Sequence, residues 1–364
     1  MFRFSLLLIA LAATTGAAAR DDFPFTIEPV AEFDQPWAMA FLPDGRLLVT
    51  EKPGSLFVVG QDGSKTAVSG VPDVDYGGQG GFGDVALHPD FKQNGLLYIS
   101  YVEAGENRTR GAAVAKVKFD ASGAQPALGA PEVIWRQVPK LGGKGHYGHR
   151  LLFSDDGHLF ISSGERQEFD PAQDMQSNLG KIVRLNDDGS VPSDNPFADQ
   201  GGVTAQIWTS GHRNPLGIAF DLEGRLWNTE MGPRGGDELN LVIKGRNYGY
   251  PEVSNGRHYS FLPIPDHDTR PEFEAPKAWW TPVISPAGLV FYSGDLFADW
   301  RGDALIPGLS SQALVRVEIN GDTAREAERF DMGKRIRAVQ QGPQGAIWLL
   351  EDGSGGRLLR LTPR

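Results

Sequence analysis

The chain has no cysteine, so no disulfide supports its fold and stability has to come from burial. After residue 19 it also has no apolar run near the ~20 residues that a membrane-spanning helix needs, which excludes helical membrane insertion. Positive charge is scarce. Lys and Arg number 35 against 46 Asp and Glu, a net of −11, which disfavours nucleic acid and anionic membrane as partners. A few arginines are still enough to make one mouth of an acidic body positive. Charge blocks, low-complexity tracts and linkers are missing too, so residues 20–364 read as one domain. What the chain has in quantity is 46 glycines and 25 prolines, punctuation that suits many short strands better than helices.

Residues 1–19 read differently. Arg3 gives a positive start, Leu6–Leu11 an apolar run, and Ala17, Ala18 and Ala19 small residues ahead of a cut at Arg20. This is the pattern of an export signal, and it places the mature protein in the periplasm or outside the cell.

Internal repetition is the strongest organisational signal. Pro36–Glu51 reads PWAMAFLPDGRLLVTE, an apolar strand, a turn and a second apolar strand. The pattern returns at His149–Glu165, Leu216–Glu230 and Ile336–Asp352, with weaker copies at Gly83–Tyr101 and Ala287–Leu309. Taking Phe41, Leu87, Phe153, Phe220, Phe291 and Gln341 as equivalent gives spacings of 46, 66, 67, 71 and 50. Propeller blades run to roughly 40–50 residues, and insertions collect as loops on one face, often the binding face. The chain is therefore expected to be all-β, a six-bladed β-propeller of four-stranded antiparallel blades with its site at one mouth of the central channel. Phe25–Val30 is expected to complete the last blade and close the ring. Two packed β-sandwiches are the alternative, but sandwich strands need not repeat one turn signature six times.

Four clusters fall at the ends of repeats or in the long intervals. Gly77–Gly81 holds Gln79, the one side chain there that can both donate and accept; alone it reads as an ordinary turn. Gly145–Arg150 carries His146 and His149. A histidine here suits a general base near neutral pH, with Glu165 placed to orient it, although a lone histidine is more often structural. No third ligand follows at zinc spacing. Gly211–Gly217 carries Arg213 and Asn214, suited to a planar carboxylate or carbonyl, against the plainer reading of a solvated arginine. Glu230–Glu238 offers the carbonyls of Gly232 and Pro233 near carboxylates, which suits calcium (Ca2+) or simply makes a Pro-Gly turn. Arg335 and Arg337 open the sixth repeat and alternate along one strand, so they point to the same side. In a propeller these segments converge on the axis, and together they describe a site for a polyanionic planar ligand with a base held above it.

The combination of PWAMAFLPDGRLLVTE, GGQGGFGDVALHP, GHYGHRLLF, LGKIVRLNDDGSVPSDNPF, GHRNPLGIAF, EMGPRGGDELNLVIKGRNYGYP and RIRAVQQGPQG resembles the soluble quinoprotein sugar dehydrogenases, in particular the aldose sugar dehydrogenases that use pyrroloquinoline quinone (PQQ). The resemblance runs from about Pro36 to the C-terminus. It implies a six-bladed propeller and oxidation of the C1 hydroxyl of aldoses to aldonolactones, with His146 as the base. It also implies that Gln79, Arg213, Asn214, Arg335 and Arg337 contact PQQ, and that the carbonyls of Gly232 and Pro233 hold calcium. An external electron acceptor would take the electrons onward. Ser310 stands where the glucose-specific members carry a PQQ-contacting lysine, one cation fewer. The alternatives from other classes are a calcium-dependent lactonase on a propeller and a non-catalytic binding propeller.

Overall fold

The computed structural model describes residues 23–121, 123 and 125–364; the expected export signal lies outside these residues. Six antiparallel sheets follow one another along the chain. Their innermost strands are Pro36–Phe41, Phe82–Leu87, Gly148–Phe153, Pro215–Phe220, Val290–Phe291 and Ile336–Gln341. The six residues taken as equivalent in the sequence are the last residues of these six strands. Four-stranded blades result, except that the second carries an extra two-residue strand at Ala127–Leu128. The weakest copy, at Ala287–Leu309, has the shortest inner strand, two residues long.

The ring closes as expected, and over a longer span. Phe25–Asp34 pairs antiparallel with Ser354–Pro363, from Phe25 opposite Pro363 to Asp34 opposite Ser354, and is the outer strand of the sixth blade. The first and last strands of the described residues thus lie in one sheet, paired along their length.

The blades pack face to face, and this changes how their alternation should be read. The second strands Leu47–Glu51, Leu159–Ser163, Leu226–Glu230 and Ile347–Glu351 are buried at every position. Alternate side chains enter different cores. Leu48 packs between blades one and two, whereas Leu47 and Val49 pack between blades six and one beside Trp348 and Leu350. The other interfaces are built the same way around the ring. Each buried large side chain contributes about 1.5–3 kcal/mol, so cores repeated at six interfaces take the place of the missing disulfides. No helix among the described residues is long and apolar enough to cross a membrane.

Candidate functional site

All six innermost strands run in the same sense along the channel. Their first residues therefore gather at one mouth and their last residues at the other. A cavity of about 270 Å³ opens at the first mouth. Gln79, Asn214, Arg335 and Arg337 line it, together with Trp37, Lys52, His149 and Asp352. His146, Arg213, Gly232 and Pro233 do not line it directly but are joined to it by hydrogen bonds and shared loops.

His146 sits on the loop ahead of the strand Gly148–Phe153, with φ +48° and its side chain 6% exposed. Its backbone N–H donates to Oε1 of Gln79 at 2.8 Å, and the Gln79 N–H donates to the Lys144 carbonyl at 2.8 Å. The glycine-rich turn is thus laced to the histidine loop. Gly78 is required there: it has φ +59°, and a Cβ would lie 2.6 Å from the Lys144 carbonyl oxygen. The His146 Nδ1 is hydrogen-bonded to Oε1 of Glu165, whose Oε2 accepts from the Phe169 N–H at 2.9 Å. Burial lowers the pKa of His146, and the charges of Arg213 and Arg166 add to this, outweighing Glu165. The imidazole is therefore neutral at pH 7, the state a base needs.

Arg166 was not singled out in the sequence. Its guanidinium is buried and finds only carbonyls: Nε donates to Gly145 at 2.9 Å, and the Nη atoms donate to Arg110 at 2.7 Å and Gly143 at 2.9 Å. It also stacks 3.9 Å from the Tyr147 ring centroid. A cation thereby gathers the carbonyls of the glycine loop on which His146 rides. His149, three residues on, is structural: Nδ1 bonds the Ser100 hydroxyl at 2.8 Å and the ring stacks on Trp37 at 4.8 Å. Burial and the positive charges of Arg150 and Arg166 push its pKa down to about 3.

The loop carrying Arg213 and Asn214 is anchored by Glu230. That carboxylate accepts from the Arg213 N–H at 2.6 Å and from Nδ1 of His212 at 2.9 Å. Glu238 lies beside it, and burial together with the negative charge of Glu230 raises its pKa well above the usual range. Arg213 is not a free cation: Nη1 donates to the carbonyls of Met231 at 3.0 Å and Gly232 at 2.5 Å. Nor are Arg335 and Arg337, whose Nε atoms both donate to Asp352 at 2.8 Å. They do point to one side, as their spacing implied. Burial raises the Asp352 pKa, but the two arginines outweigh it and hold the carboxyl below its usual value. Ser310 is exposed and donates to the Val283 carbonyl at 3.1 Å, outside the cavity lining.

Two observations bear on bound groups. The Asn214 Oδ1 is buried with no hydrogen-bond partner, which suits a ligand donor or a cation. The carbonyls of Met231 and Gly232 already converge on one cation, the Arg213 guanidinium, so this turn presents hard oxygen donors of the kind calcium takes. Beyond this turn, the longest interval between blades forms a second, wider cleft of about 1420 Å³ bounded by Pro233, Tyr259, Phe273 and Trp279.

Residues 33–360 match the family described as glucose/sorbosone dehydrogenase. The aldose sugar dehydrogenase YliI of Escherichia coli K12 is 38% identical over the whole of both chains. The apo-form structure of the E. coli soluble aldose sugar dehydrogenase superposes with a TM-score of 0.88 at 38% identity, covering 93% of this chain and 100% of that one. The PQQ-bound aldose sugar dehydrogenase of Streptomyces coelicolor superposes with a TM-score of 0.78 at 30% identity, covering 93% and 98%. With the six-bladed ring and the residues gathered at its mouth, these matches establish that the chain belongs to the glucose/sorbosone dehydrogenase family.

Proposed function

We propose that this chain is a PQQ- and calcium-dependent aldose sugar dehydrogenase that oxidises the C1 hydroxyl of aldoses to aldonolactones, with His146 as general base. The observation that carries the reading is His146 itself: buried, neutral, fixed through Nδ1 to Glu165, and tied by its backbone to a residue lining the cationic cavity. Fixing Nδ1 leaves Nε2 as the nitrogen that takes the proton. Removing the C1 hydroxyl proton raises the hydride-donor strength of that carbon. When bound, PQQ supplies the acceptor for the hydride, and calcium the charge that polarises it.

The residues present fit both groups. Gln79, Asn214, Arg335 and Arg337 would hold the planar, polyanionic cofactor, and Gly232 and Pro233 would hold calcium through their carbonyls. Arg213 would contact the cofactor, which requires its guanidinium to release the Gly232 carbonyl to the metal. Glu165 keeps the imidazole in one tautomer and one orientation. A metal on the ring axis, as a propeller lactonase would use, is disfavoured because Arg150 stands there, donating to the Leu216 carbonyl at 2.8 Å and stacked 3.8 Å from the Trp37 ring. The partners proposed are a small-molecule aldose and an external electron acceptor, in the periplasm or outside the cell.

The test mixes apoprotein with PQQ, calcium and an electron-accepting dye, then adds aldoses. Dye reduction that depends on sugar and is lost in His146→Ala supports the reading. No reduction with any aldose defeats it, and lactone hydrolysis without PQQ would favour the hydrolase.

A further inference from the structure

The cavity contains a cation that neither the motifs nor the family resemblance singled out. The innermost and second strands of each blade pair in register, Phe41 with Leu47, Phe220 with Leu226, Phe291 with Ala304 and Gln341 with Ile347. The fifth residue after each of these second-strand partners is Lys52, Met231, Leu309 and Asp352, and all four line the cavity. The same station in blades two and three is taken by Val102 and Gly164. Lys52 is the one cation in the six.

Its backbone is fixed on both sides: the N–H donates to the Gln35 carbonyl at 3.0 Å and the carbonyl accepts from Phe82 at 2.8 Å. Its ammonium makes no hydrogen bond or ion pair among the described residues, unlike Arg335 and Arg337, which share Asp352. Burial and the nearby charge of Arg337 hold its pKa below the ordinary lysine value, with Asp352 acting in the opposite sense. A partly desolvated ammonium beside two guanidiniums is unfavourable until an anion arrives. Two arginines and one aspartate leave the cavity a single net positive charge; Lys52 raises it to two.

We propose that Lys52 is a cofactor-binding residue whose ammonium takes an anionic oxygen of PQQ. It supplies, from the end of the first blade's second strand, a cation at the mouth where Ser310 supplies none. The proposal rests on the PQQ reading above and extends it to a residue from a different blade.

The test titrates PQQ into calcium-loaded apoprotein and follows tryptophan fluorescence, so that binding is read without turnover. Lys52→Met is expected to weaken PQQ binding about 10- to 100-fold, the range for losing a charged hydrogen-bond partner. Lys52→Arg should stay within about threefold of wild type, because the charge is kept. Lys92→Met, on the exposed helix Phe91–Asn94, should bind as wild type does. Should Lys52→Met fail to fold, Lys52→Gln carries the same expectation. Tight binding by wild type and equally tight binding by the Lys52 variants overturns the proposal and leaves the PQQ reading standing. Wild type that does not bind PQQ overturns both.

Discussion

The two mouths of the channel are made by the same six strands yet differ in kind. At the mouth where the strands begin lie His149, Lys52, Arg335, Arg337, Asp352 and Asn214. At the mouth where they end, a cavity of about 380 Å³ is lined largely by Met39, Phe41, Leu152, Ile218, Phe220 and Val339. The charged groups lining that second cavity, Asp84 and Arg150, face each other at 3.4 Å. Arg150, which lines this cavity, stacks on Trp37, which lines the other. The difference shows that the charged and polar groups gather where the innermost strands begin and where the second strands end, His149 and Arg337 on the former and Lys52 and Asp352 just past the latter, whereas the opposite ends of the same strands carry apolar side chains. The loops around that mouth are glycine-rich and pinned to one another, which is what holding a buried histidine and several cations close together demands.

The largest expected effect comes from the base. His146→Ala should lower kcat/KM about 10²- to 10⁴-fold, the usual contribution of a general base, while PQQ affinity changes little. An equal loss of cofactor binding would mean that His146 holds the cofactor rather than the proton.

Arg166→Met comes next. Removing the guanidinium leaves the carbonyls of Gly143, Gly145 and Arg110 without it, and the histidine loop without its clamp. Turnover is expected to fall about 10- to 100-fold through misplacement of the histidine, with KM much less affected and with stability reduced by about 1–3 kcal/mol in denaturant titrations, the cost of leaving buried acceptors unpaired. Arg166→Lys should recover part of the turnover. A loss of stability with kcat intact would show that Arg166 supports the fold and does not position the base.

At the opposite mouth the expectation reverses. Met39→Ala removes a side chain that is 2% exposed and packed between blades six and one. Stability should drop by about 2–5 kcal/mol while the folded fraction keeps its kcat. A loss of kcat comparable to that of Arg166→Met would erase the distinction between the mouths.

The smallest and most diagnostic effect is on pH dependence. Burial lowers the pKa of His146, so the imidazole is already neutral at its ordinary value near 6.5. The acidic limb of kcat/KM should therefore fall below pH 6.5, with activity lost as pH drops through the lowered pKa and held as pH rises above it. A limb above pH 6.5 would assign the controlling group elsewhere.

The architecture was legible in the sequence because a hairpin with a fixed turn writes itself repeatedly. Even the equivalence of Phe41, Leu87, Phe153, Phe220, Phe291 and Gln341 corresponds to one place in every blade. The burial of whole second strands was not legible, because alternation reports that a strand has two faces but not that neighbours cover both. The meeting of Gln79 with His146 followed from the ring. The shared facing of Arg335 and Arg337 was legible from their spacing, but their pairing with Asp352 was not, because Asp352 returns beside them only when the hairpin folds. Lys52 and Asp352 carry a usable signal, since each follows a glutamate that ends a second strand, but it becomes readable only once strand register is known. Arg166 has no such signal. Its partners are backbone carbonyls, which leave no trace in residue types.

The proposed function requires one mouth to hold the cofactor. A crystal structure of the protein soaked with PQQ and calcium tests this most directly. Planar density against Gln79, Asn214, Arg335 and Arg337, with His146 over it and Gly232 and Pro233 at the metal, is the expected result. Ordered PQQ in the cleft beside Tyr259 and Trp279, or at the mouth lined by Met39 and Val339, would contradict it.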